Sequence, residues 1–413
     1  MSLKVIQFNQ TYRNGGSTGR IAYELLGYQL KEGMDGFVVY GYSDGESLDP
    51  HALCLQKNTF RRKINILRTR LFDHHGFYNE TETKRVLQFL DDYRPDIIHL
   101  HNIHNHYIHV GRLFQYIKEH DIPAVWTLHD CWPFTGHCAY FDYANCDKWK
   151  TVCRDCPSLK EYPPTWLFDR TTRNFNDKKA AFCGVKHMVL VTPSQWLADI
   201  AGKSFMKEYP IRVINNGVDV SAFCPKNSRI KRKLGIEGKK MILAMATIFD
   251  RRKGVDYLTR LPSMLNDNEV LVLVGLSDKQ CKLFTQGHSI GLGRTNSIEE
   301  LAGYYSAADV FINPTLEDNF PTTNLEALAC GTPVVTFKTG GSPESIDDTV
   351  GRVVEKGNLN GLLKSMREVL SIGKDGFACH CVEKARSCYN KDIQYLKYIE
   401  LYKEVYKLFY AKS

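Results

Sequence analysis

Asp318 and Glu326 are separated by seven residues within residues 313–335, NPTLEDNFPTTNLEALACGTPVV. A short apolar strand runs into Pro314, an acidic loop with Asn, Phe and Pro follows, and a helix begins. Thr322 or Thr323 is the expected cap of that helix and Gly331 its expected end. A helix entrance at the carboxyl end of a parallel strand presents free N–H groups and the positive end of a dipole, which suit a diphosphate. Carboxylates accept hydrogen bonds from paired hydroxyls, so one acid can hold a sugar and the other a ribose. The plainer alternative is a capped amphipathic helix whose acids face water.

Further groups with chemistry stand at other strand ends. TIFDRRKGVD (247–256) places three cations before a glycine, a set that can clamp phosphate oxygens and stabilise a departing negative charge. NGGSTGR (14–20) is a glycine turn that lets backbone approach a ligand closely, but it lacks the spacing of a dinucleotide fingerprint or a P-loop. TLHDCW (127–132) carries His129, with Asp130 either orienting that imidazole or capping a turn. HLHNIHNHYIHV (99–110) clusters histidines without HExxH-type spacing, which favours a site-lining role for His101 or His104 over a metal site. Cys138, Cys146, Cys153 and Cys156 end in a CxxC and are candidate ligands of a structural Zn²⁺, with a set of buried thiols as the equal alternative.

These loops need strands and helices to hold them. Continuous apolar runs at KVIQF (4–8), GFVVY (36–40), DIIHL (96–100), AVWTL (124–128) and HMVLV (187–191) read as buried parallel strands between helical patterns. The alternation restarts with KMILAMA (240–246), EVLVLV (269–274), VFIN (310–313) and PVVTF (333–337). The turn-rich VINNGVDVSAFCP (213–225) is the expected break. The expected organisation is a first doubly wound α/β domain over 1–212 with a Cys-rich insertion at 138–156, and a second over 213–391. A last helix over 392–413, apolar on more than one face, is expected to return to the first domain.

The two acids with their seven-residue spacer resemble the motif of retaining glycosyltransferase family four, of the GT-B fold. The Cys-rich insertion after His-Asp is similar to that of a branch making bacterial surface polysaccharides. The resemblance implies two Rossmann-like domains facing a central cleft. It also implies a metal-independent, retaining transfer of a hexosyl or related group from a UDP- or GDP-linked sugar to a glycan or lipid-linked acceptor. In its terms Glu326 binds the ribose, and Asp318 contacts the donor sugar, although Glu317 competes for that place because the family's first acid is usually Glu. Asn319, Phe320, Pro321, Thr322 and Thr323 line the donor. Lys253 and a neighbouring Arg, best matched by Arg252, stabilise the leaving diphosphate. Gly15, Gly16 and Arg20 lie against phosphates and acceptor, His129 reaches the donor sugar and the acceptor, and Arg294, in GLGRTNS (291–297), lies near the base. TGGSPES (339–345) reads only as a helix start.

Composition narrows the class. At 413 residues, the chain is long enough for two cores. No run approaches the roughly 20 apolar residues of a membrane span, and the N-terminus does not read as a signal peptide, so the expected place is the cytoplasm. The net charge of +8 fits phosphate ligands or an anionic membrane face. FRRKINILRTRLF (60–72) spaces Phe60, Ile64, Leu67 and Leu71 along one helical face among five cations, which suits a helix lying on the inner membrane face as much as one packed on its own domain. No cofactor is expected for catalysis. A nucleic-acid partner is not expected, because no such motif occurs. The competing readings are a sugar-nucleotide epimerase of the same fold and a non-enzymatic basic, RNA-type binding module.

Overall fold

The computed structural model describes residues 2–13, 16–42, 49–56, 59–285 and 287–410. Contacts divide the chain into two compact units: Met1–Ile214 with Tyr395–Ser413, and Asn215–Gln394.

The first unit is built on seven strands: β1 (Lys4–Asn9), β2 (Asp35–Tyr40), β3 (Ala52–Cys54), β4 (Ile97–Leu100), β5 (Ala124–Thr127), β6 (Met188–Thr192) and β7 (Ile211–Val213). They pair in the order β3-β2-β1-β4-β5-β6-β7, every pairing parallel. The second unit has β8 (Lys240–Met245), β9 (Glu269–Val274), β10 (Ser289–Leu292), β11 (Val310–Asn313), β12 (Val334–Phe337) and β13 (Gly351–Val354). Their order is β10-β9-β8-β11-β12-β13, again all parallel. Both are doubly wound α/β sheets.

The apolar runs explain the strands. β4, β5, β9, β11 and β12 are buried at every position, which requires helices on both faces of a sheet. The short runs β3, β7, β10 and β13, which lack that signature, are edge strands or lie next to an edge. The last helix spans Lys391–Tyr410. Tyr395, Tyr398, Ile399, Leu401, Tyr402 and Val405 pack in one cluster with Val5, Ile97, Val125 and Val191 of the first sheet.

Each sheet has one place where the winding reverses. In the first it lies between β1 and β4, in the second between β8 and β11. Loops leaving the carboxyl ends of those strands splay apart, and ligands of this sheet type bind there.

Candidate active site

In the second unit the loops after β8 and β11 are joined backbone to backbone. Leu316 N–H donates to the Arg252 carbonyl at 2.7 Å, and Thr315 Oγ1 donates to the same oxygen at 3.2 Å. Arg251–Lys253 form a single 3-10 turn, capped by Asp250, whose Oδ1 accepts from Lys253 N–H at 3.0 Å. Gly254 ends the turn with φ 74°, and a Cβ there would stand 2.1 Å from the Pro314 carbonyl oxygen. Only glycine permits both that backbone and that approach. The result is that Lys253 Nζ donates to Asp318 Oδ2, both side chains partly buried. Glu317 is partly exposed beside it.

The helix Thr322–Ala329 follows. Its N-cap position is Pro321, which supplies no side-chain cap, so the expectation that Thr322 or Thr323 caps it is corrected. Both threonines instead occupy the first turn, partly exposed. A proline ring has no acceptor, so the N-cap residue itself closes none of the N–H groups of that turn. Gly331, with φ 72°, follows the last turn in the expected left-handed conformation. Glu326 is only 6% exposed, and its Oε2 accepts from the Tyr305 hydroxyl at 2.9 Å. Asn319 and Phe320 are buried, and the Phe320 carbonyl accepts from Asn216 Nδ2 at 2.9 Å.

Residues that sequence reasoning passed over hold this loop in place. Asn324 Oδ1 accepts from Asn313 Nδ2 at 2.9 Å, and its Nδ2 donates to Ser342 Oγ at 3.0 Å. Residues 342–345 form one 3-10 turn, so TGGSPES is an anchor for the neighbouring loop and not the start of a long helix. Gly340, with φ 54°, lets that segment approach until a Cβ would lie 1.7 Å from the Asp318 carbonyl oxygen.

In the first unit the candidate histidines gather at the reversal between β1 and β4. His101, following β4, faces His129, following β5, with Nδ1 to Nε2 at 3.1 Å. His101 Nε2 lies 3.0 Å from Gln7 Oε1 on β1. Asp130 makes its hydrogen bonds elsewhere: Oδ1 accepts from Trp132 N–H at 2.9 Å, and Oδ2 lies 3.1 Å from His104 Nε2. Asp130 is therefore a turn cap and the partner of His104, and His129 contacts His101. Burial lowers the His101 pKa well below the ordinary value, and lowers that of His129 to about 4.

Residues 16–222 match the family described as Glycosyltransferase Family 4, and residues 226–387 match Glycosyl transferases group 1. The chain belongs to glycosyltransferase family 4. It is 27% identical over 428 aligned positions to the putative colanic acid biosynthesis glycosyl transferase WcaC of Escherichia coli K12, covering 98% of this chain and 100% of that relative. A D-inositol 3-phosphate glycosyltransferase of Corynebacterium jeikeium is 30% identical over 180 positions, 39% of this chain and 43% of that protein. Among solved structures, sucrose-phosphate synthase of Thermosynechococcus elongatus superposes with a TM-score of 0.72 at 17% identity, covering all of both chains. HepE of Anabaena, solved with UDP, gives 0.68 at 16%, covering 97% of this chain and 100% of that one. These structural neighbours place both α/β sheets of this glycosyltransferase in the GT-B fold.

The remaining site candidates of this family-4 chain are spread around its sheets. Gly16 is described, with φ 93° and open space where a Cβ would stand, while Gly15 lies outside the described residues. Arg20 is partly exposed, its N–H bonded to the Gly16 carbonyl at 3.1 Å. Arg294 follows β10 at the sheet edge, exposed, donating to the Thr247 carbonyl at 3.3 Å. Arg252 is 3.9 Å from Asp250.

Cys138, Cys146, Cys153 and Cys156 line one small cavity with His137 and Trp149. Among the described residues, however, no three His, Cys, Asp or Glu side chains are arranged to hold a metal ion. A hydrogen bond joins Cys138 to Cys156; it pulls Cys156 down to about 7 and, with burial, pushes Cys138 well up. Burial raises Cys153 to about 11. The expected tetrathiolate zinc site receives no support from this arrangement.

Proposed function

We propose that this glycosyltransferase moves a sugar from a UDP- or GDP-linked donor to a glycan or lipid-linked saccharide, with retention and without a catalytic metal, in the assembly of a polysaccharide. The observation that carries the reading is the Lys253–Asp318 pair at the carboxyl ends of β8 and β11, directly before a helix entrance whose N-cap residue, Pro321, supplies no side-chain cap. Two comparisons support it. The relative matched over its whole length is named for colanic acid biosynthesis, and HepE was solved with UDP and with UDP-glucose.

In this scheme the bond from the anomeric carbon to the phosphate oxygen breaks, and its electron pair leaves on the diphosphate. Lys253, Arg252 and the N–H groups of Thr322–Leu325 stabilise that charge where it develops. Asp318 steers the Lys253 ammonium through one oxygen and accepts from a sugar hydroxyl through the other. Glu326 takes the ribose hydroxyls, with Tyr305 fixing its rotamer. The acceptor oxygen bonds the anomeric carbon on the face the phosphate leaves, and its proton passes to a phosphate oxygen. The first unit takes the acceptor, with His129 among the residues that line it.

A lipid-linked acceptor agrees with one surface of the first unit. On the helix Thr59–Phe72, Phe60, Ile64 and Leu67 are exposed, Phe60 by 69%. The segment Trp166, Leu167 and Phe168, also exposed, is tied to the last turn of that helix: Trp166 N–H donates to the Arg70 carbonyl at 2.6 Å, and Phe168 N–H to that of Leu71 at 3.2 Å. Five cations accompany these apolar groups, which is the composition of a surface that rests on anionic lipid.

The deciding experiment is a thermal-shift screen of nucleotide sugars with EDTA present, since a ligand that binds only the native state raises its stability. UDP- or GDP-sugars should stabilise the protein and Glu326→Ala should abolish the shift. Binding that appears only on adding Mg²⁺ or Mn²⁺ contradicts the metal-free scheme.

A further inference from the structure

The hydrogen bonds beneath His129 have a fixed polarity that begins at a backbone carbonyl. Gln7, fully buried on β1, directs its Nε2 at the Ala22 carbonyl at 3.2 Å and at Gln29 Oε1 at 3.1 Å. A peptide carbonyl can only accept, so the Gln7 atom facing it is the NH₂ group, and the amide cannot be turned round. Gln7 Oε1 therefore faces His101 Nε2 at 3.0 Å, and His101 must carry its proton on Nε2. Burial lowers the His101 pKa well below the usual value, so a second proton on Nδ1 is disfavoured and Nδ1 holds a lone pair. Across the 3.1 Å contact, the donor must then be His129 Nε2–H. His129 is likewise neutral near pH 7, its pKa lowered to about 4 by burial.

We infer that Gln7 and His101 are positioning residues that fix His129 as its Nε2–H tautomer, so that Nδ1 acts only as a hydrogen-bond acceptor and suits a sugar hydroxyl. The inference rests on the proposed reading of His129 as a residue of the transferase site, while the tautomer itself follows from the bonds. A second ring packs against the relay without entering it. His99 lies tilted against His101 with centroids 4.0 Å apart, and its nitrogens face Tyr402 and Thr127 at 2.6 and 2.8 Å.

The test is a long-range ¹H–¹⁵N correlation of the full chain labelled with ¹⁵N-histidine, recorded without donor at pH 7.5. His101→Gln and His129→Gln spectra assign the two rings by loss of their signals. Both rings should show a protonated Nε2 and an unprotonated Nδ1. A His129 proton on Nδ1, or a His101 proton on Nδ1, overturns the relay. Gln7→Leu should convert the His129 pattern to a mixture of tautomers, and an unchanged pattern in a folded variant removes Gln7 from it. If Gln7→Leu fails to fold, the wild-type spectrum still decides. Transfer activity plays no part in this readout, so a failure of the transferase reading would show separately, as unaltered turnover in His129→Ala.

Discussion

Lys253 Nζ donates to Asp318 Oδ2 across 65 residues of chain, and the contact exists because Gly254 lies against Pro314 with no room for a side chain between them. The ammonium is aimed by a carboxylate at the point where the second sheet reverses its winding.

Lys253→Ala should lower turnover by on the order of a hundredfold with little change in melting temperature, as loss of one charge-stabilising donor does. Steady-state kinetics with the donor found by thermal shift check this. Near-normal turnover removes Lys253 from the mechanism.

Tyr305→Phe leaves the packing of the ring intact but takes the hydrogen bond from Glu326 Oε2. A hydrogen bond to a carboxylate is worth on the order of 1.5 kcal/mol, so donor affinity should fall roughly tenfold, and Glu326→Ala should cost more. Calorimetric titration with UDP or GDP reads the difference. Equal affinities in wild type and Tyr305→Phe would detach Tyr305 from the ribose carboxylate.

Gly340→Ala should destabilise the second unit by about 1–3 kcal/mol, because the new methyl meets the Asp318 carbonyl at 1.7 Å and the backbone is left-handed. The loop carrying Asp318 must shift, so donor binding should fall with stability. Urea unfolding monitored together with nucleotide binding tests both; a variant normal in each would show that the loop yields freely.

Acid should weaken the first unit earlier than carboxylate titration would. His106 and His129 are lowered from 6.5 to about 4, chiefly by burial. In each case the unfolded chain binds the proton first, so the stability from keeping the ring neutral is complete above pH 6.5 and is lost as pH falls from 6.5 towards 4. Urea midpoints at pH 7.5, 5.5 and 4.5 should decline through that window, and His106→Asn should flatten part of the slope. A profile flat down to pH 4 would contradict the burial of these rings.

Vesicles rich in anionic lipid should retain the protein and neutral vesicles should not. Retention should fall with salt and with Phe60→Ser combined with Trp166→Ser. Co-sedimentation reads this directly, and salt-independent retention on neutral vesicles would point to another surface.

The parts legible in the sequence share one physical basis. Strands such as β9 and β11, buried at every position, show as unbroken apolar runs. β13, with a half-buried Arg352 and an exposed Val353, shows no such run and escapes notice. The loops that bear Lys253, Asp318 and His129, and the helix that bears Glu326, are recognisable from residue types at and after strand ends. Tyr305, Asn324 and Gln7 are not, because a tyrosine on an apolar helix face or a glutamine inside a strand looks like packing until the fold brings its partner near. Thr322 and Thr323 show the opposite error. Good capping residues stand one and two positions too late, because Pro321 occupies the boundary.

The second unit is one uninterrupted run of chain, whereas the first is completed by residues after 394. During synthesis, therefore, Tyr395, Tyr398 and Tyr402 reach the hydrophobic layer over Val5, Ile97 and Val125 only after the second unit. The first sheet emerges from the ribosome before the second unit yet must wait, with that layer uncovered, until the second unit has been made. A ribosome stalled just after residue 394 has cleared its exit tunnel should hold a folded second unit and an unfinished first one.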